Sequence, residues 1–119
     1  MAEISLSEEI AELGGAVTWG GFLESRGKRG RSYIGALDLS NTPVQDEHLV
    51  KIGSLTELTH LRLNDTKITD SGVSHLTSLK RIRQIELAGT EVSDEAVSFL
   101  SQLQTLEVLI LSRTSISNA

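Results

Sequence analysis

One spacing governs this chain. Leu37, Leu61, Ile85 and Leu109 lie 24 residues apart, and so do Leu39, Leu63, Leu87 and Leu111. The same shift aligns Thr42, Thr66, Thr90 and Thr114, then Val44, Ile68, Val92 and Ile116, then Asp46, Asp70 and Asp94 with Asn118 in the fourth place. Further columns hold Leu49, Val73 and Val97, Ile52, Leu76 and Leu100, and Leu55, Leu79 and Leu103. Ile34, Leu58, Ile82 and Leu106 open the successive copies. Columns that keep their chemical type at such an interval imply an array of like coils. A single coil cannot bury its own apolar side, so the coils must stack.

The shared pattern reads L-x-x-L-x-L-x-x-T-x-[VI]-x-D-x-x-[LV]-x-x-[LI]-x-x-L. It resembles the leucine-rich repeat, whose core is L-x-x-L-x-L-x-x-N/C-x-L, from Ile34 to the C-terminus. Thr stands where that family usually has Asn or Cys. The closest resemblance is to bacterial versions with a T-x-[IV]-x-D segment, and a more distant one is to the cysteine-containing repeats of F-box proteins. The resemblance implies an α/β solenoid, a right-handed β/α superhelix with a parallel sheet on its concave face.

Within each copy the L-x-L core is expected to be a short strand, its leucines on one side and the residues between them on the other. The Thr hydroxyl is placed to bond backbone of its own or an adjacent coil. Asp46, Asp70 and Asp94 precede the helix-like segments EHLVKI, SGVSHL and EAVSFL and are expected to cap them. Before the repeats, Ser5 to Leu13 reads as a short helix. Ser5 and Glu8 match a capping box, Leu6, Ile10 and Leu13 form one apolar stripe, and Gly14 and Gly15 end the helix. Ala16 to Trp19 reads as an extra strand, and residues 20–32 as a glycine-rich basic loop. The expected organisation is therefore a cap and basic loop over 1–33, which covers the first coil, and about three and a half repeats over 34–119.

Length and composition narrow the function classes. The 119 residues suit one domain. The absence of cysteine excludes disulfides and thiolate metal sites. A net charge of −5 argues against nucleic acid or an anionic membrane as the default partner. No apolar run approaches the roughly 18 residues of a membrane span, and the acidic, amphipathic start lacks the features of a secretory signal. The expectation is a cytoplasmic protein without cofactor or metal. Asp38, Ser40 and His60 share one face, but no nucleophile elbow accompanies them, and an open sheet does not exclude water. The chain is expected not to be an enzyme.

Two surfaces remain as candidates. The resemblance implies binding on the concave sheet face. There the strand positions give the rows Ala36, His60, Gln84, Val108 and Asp38, Arg62, Glu86, Ile110, with Ser40, Asn64, Ala88 and Ser112 beyond them. Asp38, Arg62 and Glu86 make a ladder of alternating charge that both fixes register and offers a recognition stripe beside His60 and Gln84. Val108 and Ile110 stand where the other copies have polar or small residues, so either the natural protein continues past this edge or the edge is a contact surface, for a partner or for self-association. The expected function is a protein–protein interaction module using Asp38, His60, Arg62, Gln84, Glu86, Val108 and Ile110. The second surface is the loop carrying Arg26, Lys28, Arg29 and Arg31, flanked by Trp19, Phe22 and Tyr33. It is an alternative contact for nucleic acid or an acidic partner. The F-box resemblance implies a third reading, substrate recognition for a ubiquitin ligase.

Overall fold

The computed structural model describes residues 2–22 and 32–114. Its spine is a five-stranded sheet in sequence order: β1 (Ala16–Phe22), β2 (Ser32–Asp38), β3 (His60–Arg62), β4 (Gln84–Glu86) and β5 (Val108–Ile110). β2 to β5 are parallel, and every pairing joins residues 24 apart: Leu37 to Leu61, Leu61 to Ile85, Ile85 to Leu109. The strands are only three residues long from β3 onward, yet the ladder of backbone hydrogen bonds continues past them. Leu39, Leu63 and Leu87 donate to the carbonyls of Arg62, Glu86 and Ile110, each at 2.8 Å.

Alternation sorts the strand residues. Leu37, Leu61 and Ile85 point inward and are buried, while the residues on either side of them face out. Leu39, Leu63 and Leu87 are fully buried and belong to one continuous apolar core, against which Leu111 packs partly buried. Ile34, Leu58 and Ile82, then Val44, Ile68 and Val92, add further rows to that core.

The chain leaves the sheet through a corner the repeat pattern did not reveal. Asn41, Asp65, Gly89 and Arg113, again 24 apart, all have positive φ, between 55° and 69°. Asn, Asp and Gly accept this left-handed backbone at little cost, whereas Arg does not. One residue later comes the Thr column. Thr42, Thr66, Thr90 and Thr114 each donate a hydroxyl hydrogen bond of 2.6–2.7 Å to the carbonyl three residues back, so the contact stays within its own coil.

The return segments are α2 (Asp46–Ile52), α3 (Asp70–Val73), which continues as a 3₁₀ turn over Ser74–Leu76, and α4 (Asp94–Leu100). α3 is short because Gly72, Ser71 and Ser74 are weak helix formers. The Ser74 hydroxyl also bonds the Ser71 carbonyl at 2.6 Å. The aspartates do not cap these helices. They occupy the first helical position, and Gln45, Thr69 and Ser93 are the caps. The Asp46 and Asp70 carboxylates reach instead into the next coil. Asp46 accepts from the Thr69 N–H at 2.9 Å and its hydroxyl at 2.5 Å. Asp70 accepts from the Ser93 N–H at 2.7 Å, the Ser93 hydroxyl and the Ala96 N–H at 3.1 Å. Asp46 and Asp70 thus clamp coil to coil. Val97 departs from its column: Leu49 and Val73 are buried, but Val97 is 37% exposed, because among the described residues no coil packs over that side of α4.

The cap helix α1 spans Ala2–Leu13. It starts three residues before Ser5, which therefore lies inside the helix and not at the expected N-cap position. Leu6 and Ile10 are buried and Leu13 packs against the core. The helix ends as its glycines dictate. Gly14 has φ +94°, its N–H meets the Ala11 carbonyl, and the Gly15 N–H meets the Ile10 carbonyl at 2.9 Å, a Schellman pattern. A Cβ on Gly15 would sit 2.5 Å from Leu39, so this glycine lets the cap close on the first coil. β1 then pairs antiparallel to β2, with irregular register between Thr18 and Phe22. Of the loop expected over 20–32, Gly20 to Phe22 belong instead to β1 and Ser32 to β2, and residues 23–31 lie outside the described residues.

Candidate functional site

Register alone assembles the expected surface. Ala36, His60, Gln84 and Val108 form one outward row across β2 to β5, and Asp38, Arg62, Glu86 and Ile110 form the next. Arg62 stands between two carboxylates, with Nε 3.1 Å from Glu86 and Nη1 4.0 Å from Asp38.

The members of these rows are not equivalent. The Glu86 side chain is only 14% exposed and takes three donors: Arg62 Nε, Asn64 Nδ2 at 2.8 Å and Gln84 Nε2 at 2.5 Å. It is a hub that orients its neighbours and has little left for a partner. Asn64 is bound on both sides. Its N–H donates to Ser40 Oγ at 3.1 Å, and its Oδ1 accepts the Ala88 N–H at 3.0 Å. His60 and Arg62 stand exposed, His60 Nδ1 lying 2.9 Å from the Thr59 hydroxyl. Val108 is 43% exposed on the edge strand, beside half-buried Leu109 and Ile110. The surface therefore offers a basic pair, His60 and Arg62, next to an aliphatic edge.

Further ion pairs repeat the 24-residue step: Arg81 with Glu57 at 3.4 Å and Arg83 with Glu107 at 2.8 Å. Lys51 and Glu9, 2.9 Å apart, tie α2 to the cap helix. No group of His, Asp or Glu suited to a metal ion occurs among the described residues. No helix there is long and apolar enough to cross a membrane. Arg26, Lys28, Arg29 and Arg31 lie outside the described residues.

Comparison with known families bears on what these coils are. The model of the leucine-rich repeat matches residues 54–77, one coil running from the end of α2 through β3 to the close of the 3₁₀ turn. The chain carries one recognised leucine-rich repeat, residues 54–77, in register with the coils on either side. Its mixed α/β solenoid carries the repeat's parallel strands and return helices, with Thr at the turn. Leucine-rich repeats generally serve protein interaction and are typically not enzymes. No curated protein matches the chain. Among solved structures that do match is an internalin from Listeria monocytogenes. It is 21% identical with a TM-score of 0.45, over 71% of this chain and 30% of the internalin chain. The chain thus spans less than a third of that protein's length.

Proposed function

We propose that this leucine-rich-repeat array is a non-catalytic docking module, cytoplasmic in location, that holds a protein partner on the outward face of its sheet and on the β5 edge. The observation behind this reading is the continuity of two rows. Exposed His60 and Arg62 run, through half-buried Gln84 and Glu86, into Val108 and Ile110 without a break. Asp38 completes the row at the cap side, and Glu86 sets the Arg62 guanidinium in place.

Size decides how such a face is used. Four strands about 4.8 Å apart, with roughly 10–15 Å of usable length, give on the order of 200 Å². A stable complex needs about 800 Å² per partner. The rows therefore act together with the edge and the neighbouring loops. The edge strand also lends itself to pairing with a strand of another chain, a second copy included.

The test is affinity capture with wild type beside Arg62→Glu and Val108→Asp, with thermal melts to establish that both variants fold. Loss of the same bands in both variants supports the reading. Unchanged capture by both overturns it. Light scattering after size exclusion tests self-association, and a monomer at high concentration removes that part.

A further inference from the structure

On the rim of the sheet, where chain enters β4 and β5, three depressions adjoin. One of about 170 Å³ lies between His60 and Val108, one of about 450 Å³ beside Arg81 and Leu106, and one of about 340 Å³ beside Lys80 and Leu103. Arg83 and Glu107 line both the first and the second, while Gln104 and Thr105 line both the second and the third. Together they form one groove between two coils, running from the outward sheet face round to the side of the return segments.

The two walls differ in chemistry. The segment before β4 supplies Lys80, Arg81 and Arg83, and the segment before β5 supplies Gln102, Gln104 and Thr105. Glu107 is the one carboxylate lining it, so three cations face a single anion in a protein whose net charge is −5. Lys80 is exposed and makes no ion pair among the described residues. Arg81 and Arg83 each engage one glutamate. A guanidinium has five N–H donors, so both keep donors for a ligand.

The cationic wall is also held rigid. The Arg83 N–H donates to the Thr59 carbonyl at 2.8 Å, the Arg83 carbonyl accepts from Glu107 and Val108, and the Thr105 hydroxyl bonds the Ile82 carbonyl at 2.6 Å. A ligand there meets charges whose backbone is already fixed, which limits the entropy lost on binding.

We propose that this groove binds an acidic peptide segment, carboxylates against Lys80, Arg81 and Arg83 and backbone amides against Gln102 and Gln104. A strand of nucleic acid fits less well. No Phe, Tyr or Trp lines it, so beyond the His60 ring at one end bases would find no stacking platform. The proposal deepens the docking reading, on which it rests, by giving the partner a charge and a second point of attachment.

The test is fluorescence anisotropy on the full chain with a short labelled peptide of alternating Glu and Ser. Controls are its Gln-for-Glu counterpart and an oligothymidine of equal length. The acidic peptide should bind in a salt-sensitive manner, and the Lys80→Gln/Arg81→Gln variant should bind it about tenfold more weakly at an unchanged melting temperature. Arg62→Glu should retain the peptide even where it loses partner capture, which separates failure of this groove from failure of the sheet-face reading. Equal binding of the Glu and Gln peptides, no binding of either, an unaffected double variant, or tighter binding of oligothymidine would each overturn the proposal.

Discussion

Arg113 Nη1 lies 3.0 Å from Asp65 Oδ1, joining residues two coils apart. The coil between them contributes Gly89 at the equivalent corner, and a Cβ there would come within 2.3 Å of Asp65 Oδ1 and 3.3 Å of Arg113 Nη1. The glycine leaves open the path that the bridge crosses. Gly89 also has φ +69°, so an alanine would be strained and would displace the Asp65 carboxylate. Gly89→Ala should cost about 1–3 kcal/mol in urea unfolding. Arg113→Ala alone should cost less than about 1 kcal/mol, since both partners are well exposed. In the Gly89→Ala background the Arg113 change should have no further effect.

Gly53 is small for a different reason. Its φ is ordinary at −64°, but a Cβ would stand 2.0 Å from the His75 carbonyl oxygen in the next coil. That atom is backbone and cannot swing aside. The equivalent positions, Thr77 and Ser101, carry side chains, so the close approach is peculiar to the first pair of coils. Gly53→Ala should destabilise by about 1–3 kcal/mol, read as a lowered denaturation midpoint with an unchanged slope.

The aspartate clamp predicts coupling. Removing the Asp70 carboxylate strands the Ser93 N–H and hydroxyl and the Ala96 N–H, all part-buried. Asp70→Ala should cost about 1–3 kcal/mol. A double-mutant cycle with Ser93→Ala should return a coupling of at least about 0.5 kcal/mol. Additive effects would show that the two coils are not joined through this pair.

Leu87 is fully buried where the rows of three coils meet. An aspartate there would carry a charge into the core with no partner. Leu87→Asp should abolish the cooperative thermal transition by circular dichroism, whereas Leu111→Asp, at a partly buried position, should leave a lowered but cooperative one.

The apolar columns were legible in the sequence because burial depends on residue type, and the stack makes it recur at a fixed step. The outward rows followed from the same register. Four things were not legible. The cap was displaced by one residue, although Thr69 and Ser93 stood in plain view beside Asp70 and Asp94, because an aspartate that starts a helix and one that clamps a neighbouring coil occupy the same place in a pattern. The left-handed corner was signalled by Asn41, Asp65 and Gly89 but masked by Arg113, a residue that disfavours that conformation. The rim groove lacked any periodic signature, since Lys80, Arg81 and Arg83 have no like-charged counterparts in the other coils. Glu86 read as one rung of a charge ladder with Arg62, and only the placement of Asn64 and Gln84 beside it reveals how fully it is engaged.

Nearly every contact between coils in this molecule would re-form if the array were lengthened by one unit, because each joins a residue to its counterpart one step along. The bridge from Asp65 to Arg113 would not. It tallies coils, being satisfied only when a single small-cornered unit separates its ends, so an inserted or deleted unit between them would go unnoticed by the nearest-neighbour clamps and be registered by this one pair.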